Sequence, residues 1–385
     1  MSYLIATATS HTDLLTQFKD FLSQKGSAFG LTYTGTGNGT FTAYRGGASS
    51  VAETFTITAT SSTSFDVVGS VTGSIGPATA GTPFAHAKIE FTITAGGTAF
   101  VAGDKFRINT APPWTVMRYT AGSEVILKAP GNDGAQSIYV GAQIFSDAGA
   151  DYYNWRLGGF NGYNSGFTFA NQPGAMTRPV VPLRNSSIPF WLVNNGRSVR
   201  MVAKVSTVYE PLYLGYIDTY FTPGEYPYPI AVGGGLSFLS EPASTSTNWR
   251  WSYTGGEHRA FPMGYQTTTA GDNCALRLRD TSGVWRGFGS MDSVGSATNS
   301  GGNHNWPYSD GMVTLRPNID GSYPQFPVIL HSNDTNTWGA LDGIEAVTGQ
   351  GLSAETSLTV GPDSYIAFPN IFRAGTRDFY ALKLD

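Results

Sequence analysis

From Gly35 to Ile108 single apolar residues alternate with threonine, serine, glycine and alanine. In Thr54-Phe55-Thr56-Ile57-Thr58-Ala59-Thr60, residues Phe55, Ile57 and Ala59 fall on one face of a strand and the threonines on the other. Phe91-Thr92-Ile93-Thr94-Ala95 repeats the pattern, and Gly96-Gly97 follows as a turn. Between Gly46 and Ala87 the only charged residues are Glu53 and Asp66. The spacing predicts a compact antiparallel β-module with one thin hydrophobic layer, and it excludes a helix bundle over this stretch.

Before the module the period changes. Ser10 can cap a helix, with Asp13 three residues on as in a capping box. Leu14, Leu15, Phe18, Phe21 and Leu22 then form one apolar stripe at helical spacing, and Gly26 marks its end. A helix of about 14 residues is marginal alone in water. Its stripe needs a thick partner, and the thin module is a poor one. The richer core begins near Trp114. The expected organisation is therefore discontinuous. A helix over 1–34 packs on a main β-rich domain over 111–385, and the Thr/Gly-rich module over 35–110 is an insertion. Ala111-Pro112-Pro113 marks the return.

Beyond Trp114 the alternation is apolar and aromatic. Val125 to Lys128, Ser137 to Phe145 and Tyr152 to Leu157 read as strands, with Ala129 to Gly134 as a turn cluster. The clearest hairpin is Ile188 to Val193, Asn194-Asn195-Gly196-Arg197, then Ser198 to Val205, because Asn-Gly supplies the positive φ angles of tight turns. In its second strand Val199, Met201, Ala203 and Val205 share one face, and Arg200, Val202 and Lys204 the other. Thr222 to Pro229 is a proline-studded loop. The last strands are Pro327 to His331, Tyr365 to Phe368 and Phe379 to Leu384. The fold class expected is mainly β: an antiparallel β-sandwich-like main domain, one short N-terminal amphipathic helix, and an inserted small β-module.

Composition sharpens this. Of 385 residues only 13% are charged and 48 are glycine, while aromatics reach 13%, including 20 tyrosines and 8 tryptophans. Charge at about half the usual level leaves little solvated surface for a free monomer. Tyrosine and tryptophan favour interfaces, and they favour strands as well; the two readings are compatible. The interface candidates are Tyr152, Tyr153, Trp155, Phe160, Tyr226, Tyr228, Trp306 and Tyr308. The formal net charge is −4 with no basic block, which argues against a nucleic-acid groove. No apolar run approaches the roughly 18 residues of a membrane span. Met1-Ser2-Tyr3-Leu4 shows no secretory signal, and Cys274 is the sole cysteine, so no intrachain disulfide is expected and folding in a reducing cytoplasm is.

Catalytic and ligand-binding patterns are weak. His11, His86, His258, His304 and His331 have no metal-ligand spacing. Cys274 has no neighbour that would lower its pKa. Gly233-Gly234-Gly235 lacks the Lys-Ser/Thr pair and the helix of a phosphate loop. Asp310, Asp320, Asp334, Asp342 and Glu345 lie near Trp306, Tyr308 and Trp338 in sequence, the residue types that glycan hydrolysis by paired carboxylates would use. Three of these aspartates precede glycine and read as turn formers. Neither a metal nor a cofactor is expected.

Two sets of runs carry a resemblance. Gly37 to Thr40, Ala52 to Thr58, Phe91 to Phe100 and Ala102 to Phe106 are similar to a β-module of tailed-bacteriophage structural proteins, found in head-decoration proteins, tail proteins and fibres. Asp151 to Trp155, Ser187 to Trp191, Val202 to Glu210, Tyr213 to Tyr216, Glu225 to Pro229, Leu315 to Asn318 and Asp320 to Pro324 resemble a family of uncharacterised virion proteins of tailed phages. With the helix, the likeness spans most of the chain. It implies a non-enzymatic structural component of the virion, assembled in the host cytoplasm and associated with tail or baseplate rather than head. Its partners would be other virion proteins and copies of itself in a symmetric ring. The alternatives are a receptor- or glycan-binding tail-tip protein, with host surface glycan as partner, and a head-decoration or neck protein. The family supplies no catalytic residues.

Overall fold

The computed structural model describes residues 2–131, 136–149, 151–177, 179–237, 276–287, 291–293, 316–332, 337–361, 363–369 and 379–384. The chain opens with a strand, β1 (Ser2–Ala8), and turns into α1 (His11–Gln24). Ser10 caps the helix as the sequence predicts, while the Asp13 carboxylate reaches one residue further back than a capping box requires, to Thr9. The Asp13 amide donates to Ser10 Oγ at 3.1 Å, and the Asp13 carboxylate accepts from the Thr9 amide at 2.7 Å. Leu14, Leu15, Phe18, Phe21 and Leu22 are all buried. Their partner is the main domain: Trp155 meets Phe18 edge-on, ring centres 5.7 Å apart, and its indole N–H donates to the His11 carbonyl at 3.1 Å. Lys25, extended, ends the helix. Gly26 follows because a Cβ there would lie 1.9 Å from Ser50 Oγ and 2.2 Å from the Ala111 carbonyl oxygen.

The module comprises β2 (Ser27–Thr34), β3 (Thr40–Gly46), β4 (Glu53–Ala59), β5 (Ser64–Gly69), β6 (Gly73–Thr79), β7 (Phe84–Ala85), β8 (Ile89–Thr94) and β9 (Lys105–Ala111). Five strands in the order β2-β9-β4-β5-β6 form one sheet, and β3-β8-β7 form another. The two sheets share a core of their own, rich in phenylalanine: Phe41, Phe55, Phe65, Phe91, Phe100 and Phe106, with Ile57, Ile93 and Ile108. Burying each such side chain contributes roughly 1.5–3 kcal/mol. The module starts earlier than residue 35. Ser27 pairs with Ala111, so β2 belongs to the module and the chain enters and leaves it side by side. A bulge between Phe29 and Thr32, with Gly30 at φ +68°, breaks the alternation that would have revealed this strand.

The main domain is mainly β and sandwich-like, and it has a third layer. β10 (Thr115–Thr120), β11 (Glu124–Ala129), β12 (Ile138–Asp147), β13 (Tyr152–Phe160) and β14 (Pro179–Val181) build an outer sheet. β15 (Ile188–Asn194), β16 (Ser198–Val205) and β17 (Val208–Tyr216) are the heart of a central sheet that β1 extends at one end. After β18 (Asp218–Thr219), β19 (Ile230–Gly234) returns to the central sheet and β20 (Leu236–Ser237) completes the outer one. β21 (Leu276–Arg279) and β22 (Trp285–Gly287) close the central sheet. β23 (Met291–Ser293), β24 (Gln325–Ser332), β25 (Thr337–Val347), β26 (Thr356–Val360), β27 (Asp363–Pro369) and β28 (Phe379–Lys383) form the third sheet, with β18 attached to β25. All these pairings are antiparallel.

Alternation along β15 explains the layering. Phe190 and Leu192 face the outer sheet and α1, with Val125, Leu127, Val140 and Trp155. Trp191 and Val193 face the third sheet, with Leu330, Ile344, Phe368 and Leu382. The central strands are therefore apolar on both faces, and they read as near-continuous hydrophobic runs. The predicted hairpin forms as expected, with Val199, Met201, Ala203 and Val205 toward the outer sheet.

Candidate functional site

The face of β16 that carries Arg200, Val202 and Lys204 points at the third sheet. Arg200 lies on it and is fully buried. Its partner comes from β25, where the pairing with β24 skips between Pro327 and Ile329 and Asp342 bulges inward. Arg200 Nη1 lies 3.2 Å from Asp342 Oδ1 and donates to the Asp342 carbonyl at 2.5 Å. Arg197 Nε donates to Asp342 Oδ2 at 3.3 Å and its other arm reaches Asp218. Ser198 Oγ, at the start of β16, and the side-chain amide of Asn195, in the hairpin turn, also donate to Asp342 Oδ2. Gly343, at φ +67°, makes the bulge feasible, since a Cβ there would lie 2.7 Å from Arg200 Nη1.

Burial alone would push the Asp342 carboxyl up. The Arg200 and Arg197 guanidiniums outweigh burial, helped by the Asn195 and Ser198 hydrogen bonds, and hold it below the usual carboxylate range. Asp218 goes the other way, raised by burial and by the charge of Asp342 against the pull of Arg197. Glu345, three residues along β25, is raised to about 7, chiefly by burial, with Lys383 opposing. The cluster is a clasp between the central and third sheets. Its central carboxylate, Asp342, is engaged by two guanidiniums, and Asp218 sits exposed at its margin.

A second feature lies on the module. A cleft of about 450 Å³ is lined by Phe29, Ala52, Glu53, Thr54, Ser70, Asn109 and Thr110. Thr54 Oγ1 donates to Asn109 Oδ1 at 2.7 Å. Glu53 is spent within the fold, accepting from the Val71 and Thr72 amides at 3.0 and 2.9 Å and from the Thr72 hydroxyl.

The aromatic interface candidates divide. Trp155, Phe160 and Tyr226 are interior. Trp155 holds α1, Phe160 packs on Phe169, and Tyr226 packs between Phe221 and Trp338 with its hydroxyl on the Arg279 carbonyl. These three anchor the chain's own layers. Tyr152 and Tyr153 are half-buried, Tyr152 stacked on Phe145 and Tyr153 against His11. Tyr228 is 37% exposed, with the Arg279 guanidinium 4.8 Å from its ring. Trp306 and Tyr308 lie outside the described residues, as do Cys274, His258, His304, Asp310 and Asp334. Asp320 sits in an exposed turn and accepts from the Ser322 amide, away from Asp342. Among the described residues no group of three or more His, Cys, Asp or Glu side chains is placed to hold a metal ion, and no helix is long and apolar enough to cross a membrane.

Sequence reasoning passed over other exposed apolar residues. Tyr220, at 58%, stands just before the proline loop, and Tyr3 and Ile5, at 48% and 50%, share a face of β1. The alternation Tyr3, Ile5, Thr7 was the available signal.

No protein-family model matches the chain, and no curated protein matches it. Two solved crystal forms of FlgL from Xanthomonas campestris match at 22% and 19% identity, each over 23% of this chain. The matches span 29% and 32% of the FlgL chains, each with a TM-score of 0.19, too slight to bear on fold or function.

Proposed function

We propose that this chain is a structural component of a tailed-bacteriophage virion, associated with tail or baseplate and working through subunit–subunit packing. The resemblance of the runs across the module and the main domain supports this reading. One structural observation carries it: a three-layer β base holds a separate module with its own core, which the chain enters and leaves side by side at Ser27 and Ala111 and which Arg45 and Glu90 tie to Phe21 and Lys25. A fold of this kind presents surfaces and keeps them fixed. Antibodies raised against the purified chain should label the tail of particles made from the genome that encodes it, in electron micrographs. Absence of the chain from purified particles would end the reading, and labelling of the head would move it to a decoration role.

A second reading is a glycan-contacting tip protein. It draws on two exposed tyrosines, Tyr220 just before the proline loop over residues 222–229 and Tyr228 near its end. Aromatic faces in a rigid loop suit sugar rings. Glycan-array binding that Tyr228→Ala weakens would favour it.

A further inference from the structure

We propose that β1 is a self-docking edge: two copies of this chain join β1 to β1, antiparallel, across a twofold axis normal to the central sheet. The central sheet then runs unbroken from one copy into the other.

β1 ends the central sheet, and its seven residues pair with β15 in unshifted register from Ser2 opposite Asn194 to Ala8 opposite Ile188. Among the described residues the backbone of Tyr3 to Thr7 makes no hydrogen bond outside that pair. Alternate N–H and C=O groups on the far side of the strand thus have no partner among the described residues. A strand edge of this kind templates another strand.

Protein edges are normally protected by charge, proline, a bulge or shortness. Three other end strands follow that rule, and a fourth, β26, does not. β10 carries Arg118 at a bulge, β6 carries Pro77, two positive-φ glycines and a bulge, and β22 is three residues long with Arg286. β26 exposes Ser357 and Thr359. Ser2-Tyr3-Leu4-Ile5-Ala6-Thr7-Ala8 has no charge, no proline, no glycine and no bulge. It also exposes Tyr3 and Ile5 beside Val193 and Trp191, where the core shared with the third sheet reaches its margin.

The strand's own sequence selects the occupant. A twofold axis normal to a sheet sets residues of the same face opposite each other, so Tyr3, Ile5 and Thr7 of both copies line one side. Centred on Ile5, it pairs all seven residues. Tyr3 meets Thr7 of the second copy, Leu4 meets Ala6, and Ile5 meets Ile5. Large side chains face small ones, the central pair is β-branched, and no like charges oppose. A strip of seven residues is only about 24 Å long, so the expected affinity is weak, with a dissociation constant on the order of 10–100 µM.

Sedimentation velocity on the full chain over a wide concentration range tests this. A monomer–dimer equilibrium is expected, with hydrogen exchange at the amides of residues 3–7 slowing as dimer forms. Ile5→Lys and Tyr3→Lys, both at exposed positions, should raise the dissociation constant at least about tenfold, since lysine is the residue that guards natural edges. A chain that stays monomeric at the highest concentration overturns the proposal. So does a dimer that both lysine variants leave intact, or one in which the β1 amides exchange as fast as in the monomer. The exchange measurement uses the unaltered chain, so it decides the matter even where a variant misfolds. Failure here leaves the virion reading standing, because a virion ring can be built from other surfaces.

Discussion

The module and the paired central and third sheets both bury carboxylates, and they hold them by different chemistry. In the module Asp104 accepts from the Thr36, Gly37 and Val101 amides and the Tyr33 hydroxyl, all within 3.1 Å. Burial pushes its carboxyl up, and those neutral donors prevail, leaving it at about 2. Glu53 likewise ties down the turn after β5 through backbone amides. Between the thicker sheets Asp342 is held by guanidiniums, one of them fully buried. A thin fold keeps its acids within reach of loop amides and needs no counter-charge inside. A buried arginine needs two layers to exclude water, and it needs a carboxylate delivered by a bulge. The difference teaches where each region is vulnerable.

The largest break should come from Asp342→Ala. It takes the carboxylate away from the buried Arg200 guanidinium, which costs about 3–5 kcal/mol. Every tryptophan lies outside residues 27–111, so tryptophan fluorescence in denaturant reports the main domain alone. That transition should move to lower denaturant while hydrogen exchange in the module's core stays as it was. The double variant Arg200→Met with Asp342→Leu should recover most of the loss; no recovery would mean that the clasp contributes more than its charges.

Acidity should separate the two regions next. Glu345 is raised to about 7 against an ordinary 4.5, so its contribution is full below pH 4.5 and is lost as pH rises through 7. Glu210, buried and raised well above its ordinary value, acts in the same direction. The main domain should lose about 1–3 kcal/mol over that window, and Glu345→Gln should flatten most of the slope. The module has the opposite sign. Asp104 contributes above pH 3.8, and that contribution is lost as pH falls toward 2. A main-domain stability independent of pH from 4.5 to 7 would contradict the placement of Glu345.

The smallest expected effect is removal of the module. Replacing residues 27–111 with a short Gly-Ser bridge should keep a cooperative tryptophan transition. The loss should be below about 2 kcal/mol, from the Arg45 guanidinium that lies 4.7 Å from the Phe21 ring centre and donates to the Phe21 carbonyl. Disappearance of cooperativity would show that the module is part of the main core.

Much of this was legible. The cap at Ser10, the stripe through Phe18, the hairpin around Gly196 and the Phe55-Ile57-Ala59 strand all follow from local rules, and local rules need only neighbours in sequence. The third layer was harder, although Phe190-Trp191-Leu192-Val193 is apolar on both faces and so implies cover on both. Arg200 misleads because a charge on an alternating strand normally faces water. Its partner lies 142 residues away in an Asp-Gly pair that reads as a turn. Trp155, Phe160 and Tyr226 mislead for a related reason: aromatic side chains fill cores as readily as interfaces, and composition does not distinguish the two. The clasp and the β1 edge depend on long-range placement, which no periodicity encodes.

The seam at Gly26 has a consequence for how such a chain changes over generations. Its two crossing points touch, so the path of the host fold is the same whatever is spliced between them. A different small fold whose ends also meet would fit the same gap without moving a single layer beneath it. The module can thus be exchanged as a cassette while the supporting stack is inherited intact.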